Sequence, residues 1–165
     1  MDNIQNQPIK PQNRIVLVAV DNSTELDVSL MYAALRAKKT GARLALLHVV
    51  EPADFHHWTA ISQLMQQENR EKGEQVLLRK AEQIEEIHGL MPIFYLREGN
   101  PAEEILKVIN EENNQISILV LRAARHNKGP GLLITTLSNK LISQLRIPLT
   151  IVPANLSKTD IERIT

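Results

Sequence analysis

The chain has 165 residues, which is enough for one domain with a single buried core and too few for two ordinary domains. Its 19 basic and 19 acidic residues give a formal net charge of zero, so no overall field attracts nucleic acid or an anionic membrane. Because there is no cysteine, the chain has no disulfide framework, no thiolate nucleophile and no cysteine-ligated metal site.

The first 13 residues, MDNIQNQPIKPQN, are polar and interrupted by proline, and they predict a loose N-terminal arm. They contain no basic stretch followed by an apolar run of about 7–15 residues, so we expect no signal peptide. No aliphatic run elsewhere approaches the length of a membrane-spanning helix. We therefore expect a cytoplasmic protein with no membrane association.

The first half of the domain alternates strand and helix patterns. RIVLVAV is almost wholly aliphatic and predicts a central strand covered on both faces. The next segment has Leu26, Leu30 and Ala33 at helical spacing and predicts a helix of about four turns, with Ser23 or Thr24 as its N-cap. RLALLHVV predicts the second strand, EPADFHHWTAIS a loop, and residues 61–88 a long and mostly polar helix.

The second half continues the alternation. MPIFYL predicts strand three, and the strongest helix start in the chain follows it, with Asn100 as the N-cap and Pro101 as the first helical residue. ISILVL predicts strand four, a short helix is expected around residues 137–145, and IPLTIV predicts strand five. Residues 154–165 are predicted to be a polar tail with room for an extra turn.

Strands that alternate with helices imply right-handed crossovers and a parallel α/β sheet with helices on both faces. In such sheets a ligand lies beyond the carboxyl ends of the strands, where the strand order reverses. If strands one and four are neighbours at this point, Asp21, Asn22, the start of the 51–62 loop and the segment from Arg122 onward border one crevice.

The segment RAARHNKGPG, residues 122–131, enters this crevice with a cluster of cations. Arg122, Arg125 and Lys128 form either an anion clamp or an ordinary solvated loop. The chain has no GxxxxGK[ST] motif, and no GxGxxG follows strand one, so neither a P-loop nor a dinucleotide site is predicted. No aromatic residue lies beside the cations for base stacking, and we expect no nucleic acid partner.

Other polar residues have simple interpretations. Asp21 is either a ligand contact or the cap of the first helix. His48, within strand two, is interpreted as a core or crevice-edge histidine with one nitrogen bonded. The adjacent His56 and His57 have no third ligand at a spacing that fixes a metal geometry, so no metal site is predicted. No serine or threonine lies in a nucleophile-elbow context, and no catalytic residue is assigned.

Four stretches, VLVAVDNS, LALLHVVEP, REGNPAEEIL and NKLISQLRIPLTIVP, resemble the universal stress protein family in their order and spacing. The resemblance covers residues 14–153 and implies a single Rossmann-like α/β domain with a five-stranded parallel sheet in the order 3-2-1-4-5. It also implies dimerisation through the last strand. Residues 148–153 are apolar and form a sheet edge in this order, so we expect a C2 homodimer through that strand.

Nucleotide-binding members of the family hold phosphates with the pattern G-x-x-G, nine residues, then G-S or G-T. In this sequence the first two glycines fall on Arg122 and Arg125, and the final pair falls on Thr135 and Thr136. Glycine permits a positive φ and close backbone approach to a phosphate, whereas other residues forced into that conformation cost about 1–3 kcal/mol each. The resemblance therefore implies that the standard phosphate loop is not retained.

Other family positions match. By resemblance, Asp21 lies beside the nucleotide, Val49 lines the base, and Thr136 and Ser138 keep hydroxyl groups where phosphate contacts occur. Gly129 and Gly131 offer a rearranged anion nest, and the side chains of Arg122 and Arg125 offer charge-assisted bonds in place of the lost amides. With Thr135, these residues form the candidate crevice for ATP or AMP.

The loop after strand two contains two of the five aromatic residues, Phe55 and Trp58. They either pack onto the long helix or form a lid or protein-docking site, since tryptophan is a favoured interface anchor.

Three functions follow from these features. The preferred one is a non-enzymatic binding or signalling module of the universal stress protein kind that has lost the ATP phosphate loop. The second is an ATP- or AMP-binding stress protein that uses the crevice residues above. The third is a weak hydrolase of phosphoanhydrides, which would need Mg²⁺ and a water positioned by Asp21.

Overall fold

A computed structural model describes residues 14–22, 27–52, 59–111, 115–124 and 132–165. Its centre is a five-stranded sheet in the order β3-β2-β1-β4-β5. Every neighbouring pair of strands is parallel, so the predicted class and strand order are confirmed. The strands are β1 (Ile15–Ala19), β2 (Arg43–Val50), β3 (Ile93–Glu98), β4 (Ile116–Arg122) and β5 (Leu149–Val152).

Helices cover both faces of the sheet. One face carries α1 (Val28–Thr40) and α2 (Thr59–His88), and the other carries α3 (Pro101–Glu111) and the segment that begins with α4 (Leu132–Thr135). A π-helical turn, Thr136–Lys140, and a 3₁₀ turn, Ile142–Gln144, follow α4. The final helix is α5 (Lys158–Ile164). None of the helices in the described ranges is long and apolar enough to cross a membrane.

The start of α1 differs from the prediction. Asp27 is the N-cap, and its Oδ1 accepts a hydrogen bond of 3.0 Å from the backbone N–H of Ser29. The predicted caps, Ser23 and Thr24, lie outside the described residues. Aspartate competes well with serine and threonine for this position because its carboxylate accepts from the free amides of the first turn. The helix therefore begins at Val28, a few residues later than the apolar spacing suggested.

The predicted start of α3 is confirmed. Asn100 Oδ1 accepts hydrogen bonds from the backbone N–H groups of Ala102 at 3.1 Å and Glu103 at 3.3 Å. Pro101 is the first helical residue, where its missing N–H removes no intrahelical bond.

The end of the chain, predicted to be a polar tail, forms the capped helix α5. Ser157 and Asp160 form a capping box at the start of α5, and Ile161 on this helix is buried. Helix α5 packs against α1. In place of the short helix expected near residues 137–145 the chain forms the π turn and the 3₁₀ turn, and α4 precedes them.

The core has two layers, one on each face of the sheet. Alternate residues of β1 and β2 belong to opposite layers, as the pleat requires: Leu17 and Leu47 pack on the α3 side, whereas Val18 and Leu46 pack on the α1–α2 side.

Helix α2 lies very close to the sheet at Gly73. A Cβ at this position would lie 2.9 Å from Leu96 Cδ1 and 3.0 Å from both His48 Cδ2 and Val50 Cγ2. Only glycine therefore fits here without displacing side chains of β2 and β3.

Candidate functional site

The carboxyl ends of β1 and β4 are joined by charged side chains. Arg122, the last residue of β4, forms an ion pair with Asp21 through Nη2. Its Nε lies 3.1 Å from Asp27 Oδ2. The Asp27 side chain is only 8 % exposed and also caps α1, so Arg122 ties the start of α1 to the end of β4. Asp21 and Arg122 therefore lie next to each other at the ends of β1 and β4, as predicted, and their role in a ligand crevice stays a prediction.

A buried lysine lies behind these residues. Lys80 of α2 is 3 % exposed, and loss of solvation lowers its pKa below the usual value of 10.5 despite the opposing effect of Asp21 and Asp27. Arg122 and Arg79 add to the lowering. Asp21, Asp27, Arg122 and Lys80 form what we call the charge cluster, with two carboxylates and two cations.

This arrangement changes the interpretation of Arg122 as an anion clamp. The guanidinium already has two carboxylate partners, and its side chain is only 26 % exposed. A phosphate reaching it would compete with both partners and would lie close to their negative charges. The charge cluster is electrically balanced, and it can hold the start of α1 and the end of β4 together beside the middle of α2 without any ligand.

Sequence reasoning missed two members of the charge cluster. Asp27 directly precedes the first helical residue, where aspartate is a preferred cap. Lys80 lies four residues from both Val76 and Ile84, which are buried on the same face of α2. A lysine within an apolar stripe is a signal that could have identified it.

The backbone at the former glycine positions is unstrained where the structure describes it. Arg122 is part of the extended strand β4, and Thr135 has a helical φ of −60° and ψ of −43°. Neither position has a positive φ, so the strain that a non-glycine residue would carry in the family's loop does not arise at these two positions. Arg125, Gly129 and Gly131 lie outside the described residues.

Three hydroxyl residues follow the 122–131 segment and lie on the helical turns after it: Thr135, Thr136 and Ser138. Ser138 donates a 2.7 Å hydrogen bond to the carbonyl of Ile134 in the preceding turn. The carbonyl of Thr136 accepts from the N–H of Leu141 at 3.1 Å, which closes the π turn. Thr135 is exposed. Neither Thr136 nor Ser138 bonds to Asp21 or Arg122 among the described residues, so their shared role in a crevice stays a prediction.

Val49 borders a cavity and also contacts the hydrophobic core. It is one of the residues around a cavity of about 310 Å³ at the end of β2. Its hydrophobic contacts, however, are with the core layer on the α3 side. The neighbouring His48 and Val50 face α2, as their positions beside Gly73 show. The cavity is completed by Asn22, Glu51, Asn69 and Lys72.

His48 is held in a defined orientation at this cavity. Its Nδ1 lies 2.9 Å from the carbonyl oxygen of Val20. A carbonyl only accepts, so Nδ1 carries the hydrogen. This confirms the interpretation of His48 as a crevice-edge histidine with one nitrogen bonded, and it identifies the orienting group as the backbone that continues from β1.

A second, more open groove of about 520 Å³ continues along α2. It shares Asn22 and Lys72 with the smaller cavity and includes Val76 and Arg79. Glu68 and Glu71 line it as well, so its acidic and basic groups are equal in number. In the part of the chain that the structure describes, no three histidine or acidic side chains are grouped to hold a metal ion. Phe55 and Trp58 lie outside that part.

Comparison with known proteins gives a consistent family. A model of the universal stress protein family matches residues 12–153. No curated protein matches the chain at a significant level.

Solved structures agree with the fold. The universal stress protein UspA from Lactobacillus plantarum has a TM-score of 0.69 at 16 % identity, with 86 % of this chain and 98 % of that chain covered. The universal stress protein from Archaeoglobus fulgidus in complex with dAMP has a TM-score of 0.59 at 15 % identity, covering 85 % and 98 %. A family protein from Arabidopsis thaliana with AMP bound has a TM-score of 0.56 at 18 % identity, covering 86 % and 92 %. At these identities the likeness establishes the fold alone.

Proposed function

The chain belongs to the universal stress protein family, and we propose that it is a non-enzymatic binding or signalling module that does not hold ATP through the usual phosphate loop. The observation that carries this proposal is the pairing of Arg122 with both Asp21 and Asp27. The arginine on the first glycine position of the loop is thereby engaged within the protein.

Electrostatics support the proposal. A triphosphate beside Asp21 and Asp27 would bring like charges together unless Arg122 and Lys80 turned towards the ligand. Lys80 is buried, and its pKa is lowered because burial disfavours the charged form of its amino group. The extended backbone of Arg122 and the helical backbone of Thr135 also differ from a loop that curls around a phosphate.

Calorimetric titration with ATP and MgCl₂ tests the proposal. We expect the wild-type protein to show no binding tighter than about 1 mM. In the double variant Asp21→Asn and Asp27→Asn, Arg122 is no longer neutralised, and we expect ATP affinity to rise at least about tenfold. Asparagine is as good an N-cap as aspartate, so α1 should remain intact.

The matched control is Glu111→Gln, which removes the carboxylate partner of Arg97 on β3. It frees one arginine outside the charge cluster and should leave ATP affinity unchanged. Micromolar ATP binding by the wild type, unaltered in the double variant, would overturn the proposal. Mass spectrometry of the denatured protein adds an independent check for a nucleotide that purifies with it.

The alternative is a nucleotide-binding stress protein. Structures of family members with dAMP and with AMP bound favour it, since those ligands carry a single phosphate. In this chain such a ligand would use the residues of the candidate crevice: Asp21, Val49, Arg122, Arg125, Thr136 and Ser138. Binding of AMP, but not of ATP, to the wild-type protein would support this alternative.

The proposed module is a homodimer through β5. This strand is at one edge of the sheet, and Ile151 on it is 42 % exposed. Pairing of two β5 strands would cover that side chain and the free backbone groups of the edge. Light scattering at micromolar concentration should give a dimer mass, and Ile151→Lys should give a monomer. A wild-type monomer would contradict this part of the proposal.

A further inference from the structure

We propose that the free edge of β3 is a docking site for an extended segment of another protein, one with alternating apolar residues and a basic residue at each end. We call this surface the β3 edge; it consists of Phe94, Leu96 and Glu98 with the preceding Leu90 and Met91. The proposal deepens the proposed function and rests on it, because it names the class of partner that a binding module takes. It involves neither ATP nor β5.

The backbone of β3 has a row of hydrogen-bonding groups that no neighbouring strand satisfies. In the described sheet β3 pairs only with β2, and the register of this pair is unbroken over the whole of β3. The N–H of Gly99 donates to the carbonyl of Val50 at 3.0 Å. Because the direction of the backbone groups alternates along a strand, the N–H and C=O groups of Phe94, Leu96 and Glu98 point away from β2. An added strand would form its hydrogen bonds with these three residues.

Apolar side chains surround the start of the β3 edge. Leu90, Met91 and Phe94 are all exposed. Leu96 packs in the core layer on the α1–α2 side, so Phe94, two residues earlier on the strand, is on the same face. Tyr95 packs against the layer on the α3 side. An extended partner with β-branched residues at alternate positions would form a favourable cross-strand pair with Phe94.

Strand β3 lacks the usual protection of a sheet edge. Natural edge strands are commonly blocked by proline, by lysine or by a bulge. Residues 93–98 contain neither proline nor lysine, and their pairing with β2 has no register shift. The one cation of the strand, Arg97, forms an ion pair with Glu111 of α3 and lies over the ring of Tyr95, so it is held on the α3 side. The edge is therefore open to a partner strand.

A carboxylate lies near each end of the β3 edge. Glu98 is exposed at the carboxyl end of the strand. Glu85 is exposed on α2, twelve residues after Gly73, which lies beside Leu96. Helix α2 runs back along the sheet and rises about 1.5 Å per residue, so Glu85 lies about 18 Å from Gly73, near the start of β3. Neither carboxylate forms an ion pair with a described residue. A basic residue at each end of the partner would meet them.

Glu85 is on the flank of α2 that faces the β3 edge. Lys80, on the opposite flank, faces the charge cluster at the start of α1. Helix α1 packs over β1 and β4, whereas α2 packs over β2 and β3, so the flank of α2 away from α1 lies towards the open edge. At 3.6 residues per turn, Glu85 is rotated about 140° from Lys80 around the helix axis. The exposed Leu78 lies on the same flank as Glu85 and adds to the apolar surface.

The same carboxylates disfavour a second copy of this chain as the occupant. Two β3 strands related by a twofold axis would be antiparallel, so Glu98 of one copy would lie near Glu85 of the other. Like charges brought together at an interface oppose association. The combination of an apolar edge and acidic ends therefore favours a basic, extended partner of different sequence.

Amide hydrogen exchange followed by NMR tests the proposal with a synthetic peptide. The probe is Lys-Val-Thr-Val-Thr-Val-Lys, acetylated and amidated at its ends. In the free protein we expect fast exchange at Phe94, Leu96 and Glu98, and slow exchange at Tyr95 and Arg97, whose N–H groups point towards β2. Saturating peptide should slow exchange at the first three residues at least about tenfold and leave the other two unchanged.

Charge reversal adds a second measurement. The double variant Glu85→Lys and Glu98→Lys should bind this peptide at least about tenfold more weakly than the wild type does. It should bind the same peptide with glutamate at both ends at least about tenfold more tightly than the wild type does. Lysine is favourable in the last turn of a helix, so α2 should remain intact.

The matched control is Glu162→Lys, which reverses an exposed charge on α5. Helix α5 packs against α1, away from β3, so this variant should leave the affinity for both peptides unchanged.

Several outcomes would overturn the proposal. One is unchanged exchange at β3 in the presence of peptide, and another is equal binding of the two peptides by the wild type. Slowed exchange at Leu149–Val152 in place of β3 would move the peptide to the opposite edge. Slow exchange at Phe94 and Leu96 without peptide, in an Ile151→Lys variant that is still dimeric, would mean that a second copy covers β3. None of these results alters the ATP titration, which tests the proposed function separately.

Discussion

The carboxyl ends of β4 and β2 lie at the same edge of the sheet, both on the side of α1 and α2. They differ in the side chains that surround them. At the end of β4, Arg122 and its carboxylate partners fill the space with paired charges. At the end of β2, a cavity of about 310 Å³ lies beside Gly73. A ligand at the first place must break ion pairs, whereas no ion pair joins the described residues around the second. The difference shows that position on the fold does not by itself decide which strand end binds a ligand.

The largest effect should come from adding a side chain at Gly73, beside the cavity of about 310 Å³ at the end of β2. Gly73→Val would place a branched side chain where even a Cβ lies 2.9–3.0 Å from three side-chain atoms. Overpacking of this kind costs about 2–3 kcal/mol, and valine is also a weaker helix former than most residues. We expect a lower free energy of unfolding, which urea denaturation measures.

Gly41→Ala is the control for that experiment. Gly41 ends α1 with a φ of 70°, and a methyl group added to it would have no neighbouring atom within 4 Å. Alanine there should cost about 1–2 kcal/mol through left-handed backbone strain, without crowding any side chain. If Gly41→Ala lowered the free energy of unfolding as much as Gly73→Val, crowding against β2 and β3 would not be the explanation.

The next effect tests the charge cluster. Arg122→Leu leaves the Asp27 carboxylate, 8 % exposed, without its guanidinium partner. We expect a loss of about 2 kcal/mol, less than for a fully buried pair because Arg122 itself is partly exposed. Chemical denaturation measures the loss.

Arg163→Leu removes an ion pair with Asp160 in which the arginine side chain is 76 % exposed. It should cost no more than about 0.5 kcal/mol. Equal losses in the two variants would mean that the charge cluster contributes no more to stability than a surface ion pair.

The smallest effect concerns pH. Burial lowers the pKa of Lys80 from 10.5 in the folded chain, so the unfolded chain binds its proton more tightly. Folding therefore becomes more favourable as the pH rises from the lowered pKa towards 10.5. Lys80→Met lacks this gain, and the stability of the wild type relative to the variant should increase over this window in denaturation curves. A difference that does not change with pH would rule out Lys80 as the source.

Much of the fold was predictable from local pattern. The aliphatic runs alternate with helical spacing, and Asn100 followed by Pro101 satisfies the needs of a helix start within a few residues. Such signals depend only on neighbouring residues, so they can be recognised before the fold is known. The strand order came from the family resemblance, because periodicity states which segments are strands but not which strands are neighbours.

The candidate sites depended on contacts between distant parts of the chain. Asp21 and Arg122 are 101 residues apart, and Val20 and His48 are 28 apart. The sequence predicted that Asp21 and Arg122 lie at one crevice. The ion pair of Arg122 with Asp27, however, depends on where α1 begins in space. His48 acquired a defined tautomer only when the chain leaving β1 brought a carbonyl to its Nδ1.

Local physics in the amino-acid sequence was sufficient for the class of fold, the helix cap at Asn100 and the buried character of the strands. Tertiary structure alone decided that the arginine at the end of β4 is neutralised and that the end of β2 remains open. The reason is physical: charge balance and cavity shape are sums over side chains from separate elements, and those elements acquire their distances only when the chain packs.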